Sequence, residues 1–339
     1  MKVLFIGGTG TISTAISALA VEKGIELYLL NRGSHSDLIP KGAKQITANI
    51  YNEAEVMEKI KDMTFDVVAE FIAFDTTAVE RDYRLFKDKT KQYIFISSAS
   101  AYQKPLSSPV ITESTPLANP FWEYSRNKIA CEEFLMKKYR ESGFPITIIR
   151  PSHTYGDRSV PVAVHGKNGS YSVLNRILKG KKVIVHGDGN SLWTLTHNTD
   201  FAKAFVGIMG NSHAIGETYH ITSDESLTWN QIYEIIGDAL GVKPDIVHIP
   251  SDVLAKHYED LEGGLLGDKA HSVIFDNAKI KRAVPDFTAT VRFDQGVRRA
   301  IEYILSQEEL QKADSEFDTW CDDMIETFEE ATAKMYKYE

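Results

Sequence analysis

An α/β fold built on a doubly wound parallel sheet, joined to a smaller mixed α/β domain, is what this chain of 339 residues predicts. Three observations carry the prediction. Short apolar runs alternate with amphipathic stretches through the first half. Each run is apolar on both faces, as a strand covered by helices on both sides must be. A glycine-rich turn separates the first run from the first helical stretch.

The elements follow in order. Val3 to Ile6 is the first strand, and Gly24 stands where a left-handed C-cap would end the first helix. Leu27 to Leu30, Phe65 to Phe71, Tyr93 to Ile96 and Ile146 to Ile149 are the next strand-like runs. Glu53 to Lys61 and Trp122 to Ser142 are amphipathic and lie between them. In the second half, Lys182 to His186 and Glu217 to Ile221 read as strands and Leu227 to Leu240 as a helix. Gly263, Gly264 and Gly267 mark a loop. Trp320, Met324 and Phe328, spaced by four, predict a surface helix near the end.

Composition excludes several classes. The formal charge of -9 repels phosphate backbones, so nucleic acid is not the expected partner. No run approaches the ~20 apolar residues of a membrane span. The start of the chain shows no signal-peptide pattern. Two cysteines, Cys131 and Cys321, cannot build a disulfide framework and suit a reducing cytoplasm. The histidines show no metal-ligand spacing, so no metal is expected.

Gly7-Gly8-Thr9-Gly10-Thr11-Ile12-Ser13 follows the first strand and opens the first helix. Glycine suits a tight turn and a close backbone approach, and free amides at a helix start hold an anion. In a strand–turn–helix context this pattern predicts dinucleotide binding through Gly7, Gly10, Thr11 and Ile12. Ser13 replaces the third glycine of the longer fingerprint. The expected dinucleotide-binding domain covers residues 1–160 and also receives segments near 181–212 and 270–305. Residues 161–339 form mainly a substrate domain, interleaved with the first and ending in helices.

The expected cofactor is NAD(P). Asn31-Arg32-Gly33 ends the second strand without a carboxylate. An arginine there accommodates a 2′-phosphate and favours NADP, whereas Arg32 stacked on adenine with Asn31 on the ribose would suit NAD.

Tyr124 and Lys128 are four apart and share a helix face. A free phenol titrates near ~10, too high for a base at neutral pH, and an adjacent ammonium lowers it. Tyr124 then serves as general acid or base. Tyr83 and Lys87 show the same spacing. Only Tyr124 is preceded by a strand that ends in serines, Ser97 and Ser98, where parallel sheets bind ligands. Tyr83 and Lys87 therefore read as helix surface. Cys131, three residues past Lys128, reads as packing.

The segments Gly7 to Gly10, Ser97 to Tyr102, Tyr124 to Lys128, Arg150 to Gly156, His186 to Gly189 and the helix near Asn198-Thr199-Asp200 resemble the extended short-chain dehydrogenase/reductases. Within that group the resemblance is to the NAD-dependent epimerase/dehydratase family, over roughly residues 1–305. It implies a Rossmann fold and a carbohydrate-acting oxidoreductase or epimerase. Hydride transfer would use Ser98, Tyr124 and Lys128, Ser98 being placed by its distance from Tyr102. It also implies Asn49, Ile50, Phe71, Ala73, Pro151 and His153 along the cofactor, with Ser98, Tyr124, His153 and Trp193 toward a hydroxyl-bearing small molecule. A homodimer pairing Thr77 to Lys87 with Trp122 to Lys138 is expected.

The chain departs from this pattern where relatives hold a nucleotide-sugar diphosphate. One arginine position is Trp193, a second is Leu265, and an asparagine position is His153. Without bidentate arginines a UDP-sugar 4-epimerase is the weaker reading. Lys269 and His271 are candidates for a replacement anion site. A reading of another class is a non-catalytic NAD(P) sensor or RNA-binding protein, as among the chloroplast stem-loop relatives.

Overall fold

The computed structural model describes residues 1–258 and 261–335. The last four residues of the expected substrate domain lie outside the described residues. The chain divides into two compact units, Met1–Thr154 with Thr196–Asp224 and Phe275–Thr290, and Tyr155–Leu195 with Glu225–Ile274 and Val291–Glu339.

The first unit is built on seven strands, β1 (Lys2–Ile6), β2 (Glu26–Asn31), β3 (Lys44–Thr47), β4 (Val67–Glu70), β5 (Tyr93–Ile96), β6 (Ile146–Pro151) and β7 (Thr218–Ile221). Six helices go with them among the described residues: α1 (Thr11–Glu22), α2 (Glu53–Lys59), α3 (Thr76–Phe86), α4 (Glu123–Ser142), α5 (Asn198–Ile208) and α6 (Ala278–Ala283). All pairings are parallel, in the spatial order β3-β2-β1-β4-β5-β6-β7. The chain order reverses between β1 and β4, so the carboxyl ends of these two strands flank the switch point where such sheets take ligands.

The double-sided apolarity of the strands has a direct structural cause. Along β1, Val3 and Phe5 pack into one core with Leu27, Leu29, Phe201 and Phe205. Leu4 and Ile6 face the opposite core with Tyr93, Phe95, Leu135 and Phe144. α1 ends as expected, with Gly24 at φ +73° just past the cap.

The strand expected over Phe65 to Phe71 is shorter, Val67–Glu70, because Phe71 leaves the sheet and packs edge-on against Phe5 at 5.2 Å. β3 escaped the sequence reading. It is a four-residue edge strand, Lys-Gln-Ile-Thr, with no buried position.

In the second unit, Val183–His186 pairs in parallel with Ile246–Ile249. That pairing keeps residues 181–195 in this unit, where the sequence reading had returned them to the dinucleotide-binding domain. The helix Phe293–Ser306 also belongs here, so only Phe275–Thr290 of the expected 270–305 segment joins the first unit.

The helix Trp229–Leu240 starts at a capping box made by Thr228 and Gln231. In the last helix, Ser315–Met335, the buried stripe runs through Phe317, Cys321, Met324 and Ile325 rather than through Trp320. Arg176, 2% exposed, holds this helix through Asp318 and Asp322, each at 2.6 Å.

Candidate active site

β1 runs straight into a turn that only glycine adopts without strain, with Gly7 at φ +100° and Gly8 at φ +98°. A Cβ on Gly8 would also lie 2.7 Å from Leu29 Cδ2. Gly10 is different. Its φ is an ordinary -89°, and a Cβ there would meet only Ser13 Oγ, at 3.6 Å. Ser13, which replaces the third glycine of the fingerprint, accepts a hydrogen bond from Gly10 N at 2.9 Å. The first-turn amides of Thr11 and Ile12 have no helical carbonyl behind them.

Two cavities meet at this turn and share Gly7, Thr9, His35 and Ile72. One, of about 440 Å³, runs past Gly10, Thr11, Ile12, Phe71 and Ile96. The other, of about 360 Å³, is bounded by Asn31, Arg32, Ser34, Asn49, Ile50, Tyr51 and Phe74. The smaller cavity has Arg32 and His35 in its wall and no carboxylate. Asn31 Oδ1 is engaged by Gly33 N at 3.0 Å and Gln45 Nε2 at 2.7 Å. Of the expected cofactor contacts, Gly7, Gly10, Thr11, Ile12, Asn31, Arg32, Asn49, Ile50 and Phe71 line these cavities. Ala73 is buried beneath the wall, Pro151 ends β6, and His153 is half-buried two residues later.

Phe74 connects the smaller cavity to the Tyr124 group. Its ring is 53% exposed, and Lys128 Nζ lies 4.9 Å from its centre. The Tyr124 ring centre is 6.4 Å from that of Phe74. Lys128 is 2% exposed and donates to the carbonyls of Ala73 at 2.7 Å and Ile96 at 2.8 Å, which joins the loop after β4 to the end of β5. Its ammonium also faces the rings of Phe95 and Tyr124, at 4.9 and 5.7 Å. Burial pulls its pKa down to about 8.

Ser98 caps the short turn after β5 and contacts Ser100 Oγ at 2.8 Å. Ser125, next to Tyr124 on α4, donates to Ser100 Oγ at 2.7 Å. Ser98 is thereby tied to the start of the helix that carries Tyr124 and Lys128.

A buried charge network lies under the loop that follows β4. Glu70 accepts from Ile72 N and pairs with Arg81 at 3.3 Å. Arg81 grips Asp82 at 2.7 Å, and Tyr93 donates to the other Asp82 oxygen at 2.7 Å. Burial and the Asp82 carboxylate push Glu70 well above the usual carboxylate range. The Arg81 guanidinium also supports the ring of Tyr51, 4.9 Å away on the cavity wall. Sequence reasoning missed Tyr51, Phe74, Glu70, Arg81, Ser100 and Ser125. Ser100 and Ser125 lie inside segments that carry the family resemblance, but each of the six matters only through a contact made by folding.

Several candidate residues have other duties. Trp193 is 2% exposed, with its ring 5.5 Å from that of Trp229, and Leu265 is fully buried. Lys269 Nζ donates to Gly264 O at 3.4 Å and His271 Nε2 to Leu266 O at 2.9 Å, so both brace their own turn. Cys131 is buried, and its thiol is pushed up to about 12 by burial. Tyr83 packs edge-on against Phe144 at 5.2 Å, a deeper position than the surface role expected for it.

The profile of the NAD dependent epimerase/dehydratase family matches residues 3–222. The chain is 23% identical over 287 residues to a 2'-dehydrokanamycin reductase of Streptomyces kanamyceticus, covering 85% of this chain and 80% of that protein. It is 26% identical over 261 residues to the chloroplast stem-loop binding protein of 41 kDa b of Arabidopsis thaliana, covering 73% and 65%. The solved dTDP-glucose 4,6-dehydratase of Bacillus anthracis, in complex with NAD, has a TM-score of 0.72 at 20% identity, covering 91% of this chain and 98% of that one.

Proposed function

Because the chain belongs to the NAD dependent epimerase/dehydratase family, a family of enzymes, we propose that it catalyses hydride transfer at a carbinol or carbonyl carbon of a sugar-like molecule that carries no nucleoside diphosphate. One observation carries this reading: Lys128 and Tyr124 share a face of α4 beside Phe74, at the edge of the cavity that the glycine turn opens.

The chain's groups fit an NAD(P) dinucleotide. First-turn amides of α1 would hold the pyrophosphate, and the open space at Gly10 would leave room for it. Arg32, Ser34 and His35, with no carboxylate among the lining residues, favour a 2′-phosphate and hence NADP. A bound nicotinamide supplies the carbon that gives or takes the hydride. In reduction, Tyr124 donates its phenolic proton to the substrate oxygen and Ser98 steadies charge on the same atom. Lys128 has three N–H donors and spends two on Ala73 O and Ile96 O, which leaves one for a ribose hydroxyl. Its charge stabilises the Tyr124 phenolate that remains.

The substrate class rests on what fills the arginine positions of nucleotide-sugar relatives. Trp193 and Leu265 are core residues of the second unit and supply no charge to a diphosphate. The acidic net charge weighs against RNA as ligand. Two free, buried cysteines suit a reducing cytoplasm, and no helix among the described residues is long and apolar enough to cross a membrane. A homodimer through α3 and α4 belongs to the same reading. Their exposed residues, including Glu80, Arg84, Glu133 and Lys137, would pair by charge, and a monomer mass by light scattering would refute it.

The test is a screen of NADPH oxidation against keto sugars and keto-aminoglycosides, run with the wild type and Tyr124→Phe. The variant should lose about 100-fold or more in kcat while its cofactor Kd stays within about threefold. Equal turnover by the two proteins would remove Tyr124 from the mechanism.

A further inference from the structure

Three serine hydroxyls form a line from the interior of α4 to the open side of the site. Ser125 is fully buried, Ser100 is 4% exposed and Ser98 is half-buried. Ser125 Oγ donates to Ser100 Oγ at 2.7 Å, and Ser100 Oγ lies 2.8 Å from Ser98 Oγ. Ser100 N also donates to Ser98 Oγ, at 3.2 Å.

A hydroxyl has one hydrogen and two lone pairs, so the directions along this line can be counted. Ser125 uses its hydrogen on Ser100. Among the described residues, Ser98 Oγ is the acceptor within reach of the Ser100 hydrogen. Were Ser98 instead to donate to Ser100, the Ser100 hydrogen would be buried without an acceptor, at a cost of ~1–3 kcal/mol. Ser98 therefore accepts twice from Ser100, once from oxygen and once from nitrogen, and its own hydrogen is left for the open side.

The scaffold holds this line in place. Asn119 Nδ2 donates to Ser100 O at 2.8 Å, while Asn119 Oδ1 accepts from Trp122 N at 3.1 Å at the start of α4. One side chain thus ties the turn that carries Ser98 to the helix that carries Ser125.

We propose that Ser125 and Ser100 are positioning residues that fix Ser98 as a hydrogen-bond donor to the reacting oxygen and polarise its hydroxyl. This rests on the hydride-transfer reading above. A ketone oxygen gaining negative charge needs donors, and a serine free to rotate could present a lone pair to it instead. Hydroxyls in series strengthen one another, by about 10–30% per bond. Because Ser125 is sealed from solvent, the line orients and polarises but does not conduct a proton.

Two measurements test it separately from the function. Neutron diffraction from a deuterated crystal of the full chain should place the Ser125 deuteron toward Ser100 and the Ser100 deuteron toward Ser98. A Ser98 deuteron aimed at Ser100 Oγ overturns the proposal whatever the enzyme does.

The kinetic arm follows NADPH oxidation with the keto sugar D-glucosone as probe. Ser125→Ala should lower kcat about twofold with KM and melting temperature nearly unchanged, and Ser100→Ala about fivefold with KM nearly unchanged and a lower melting temperature, because the buried Ser125 hydrogen loses its acceptor. Ser98→Ala should cost more, and the Ser98→Ala/Ser100→Ala double variant should be no slower than Ser98→Ala. Additive losses would mean that Ser100 acts independently and would overturn the relay. A wild type that turns over no carbonyl compound would sink the hydride-transfer reading and leave the neutron result to decide this one.

Discussion

On the proposed mechanism, Lys128 would join the cofactor walls to the reacting oxygen. Its ammonium bridges the loop after β4 and the end of β5 while facing three aromatic rings. Burial in that setting depresses its pKa to about 8. The sign follows: below about 8 the group is charged and supports the Tyr124 phenolate, and above it the support fades. We therefore expect kcat/KM for reduction to fall as pH rises through about 8. In Lys128→Arg, whatever its maximum, that limb should move upward, because a guanidinium stays charged. A wild-type profile flat to pH 10 would refute this.

The spacing of Tyr124 and Lys128 was legible in the sequence because a helix repeats every 3.6 residues. Ser100 and Ser125 were not. They are 25 positions apart, and nothing local marks two serines as neighbours.

At the scale of elements, the turn from β1 into α1 separates two kinds of glycine that look alike in sequence. Gly8 is demanded by the fold, with φ +98° and Leu29 in its path. Gly10 is not demanded by anything in the chain. Gly8→Ala should therefore lose ~1–3 kcal/mol of stability through backbone strain and crowding. Gly10→Ala should melt near the wild-type temperature yet bind NADPH at least about tenfold more weakly, since a methyl would intrude on the pyrophosphate. Denaturation curves and cofactor titration check both. If Gly10→Ala binds NADPH normally, the pyrophosphate does not lie over that residue.

The strands legible in advance, β1, β2, β4, β5, β6 and β7, are those with apolar residues buried on both faces. β3 was hidden because an edge strand with polar side chains has no such pattern. The strand Val183–His186 was visible, but its partner was not, because parallel pairing with Ile246–Ile249 joins segments about 60 residues apart.

For the whole molecule, the interleaving of the two units was expected, while their boundaries depended on pairings that the local pattern does not encode. The charge distribution is the more useful consequence. The chain carries -9 overall, yet the cavity beside β2 is lined by Arg32 and His35 without a carboxylate. It should therefore select the anionic cofactor with the extra phosphate. In the second unit, the positions that would grip a sugar diphosphate are apolar and buried. Ligands that bind only the folded state raise its stability by RT ln(1 + [L]/Kd), ~2.7 kcal/mol at a hundredfold excess over Kd. Thermal denaturation should thus rise clearly with NADPH, less at the same concentration of NADH, and not at all with UDP-glucose added alone. Equal shifts from the two dinucleotides would return Arg32 to an adenine or solvent role. A shift from UDP-glucose comparable with that of NADPH would mean that a diphosphate finds donors elsewhere, and the nucleotide-sugar reading would then replace the one proposed.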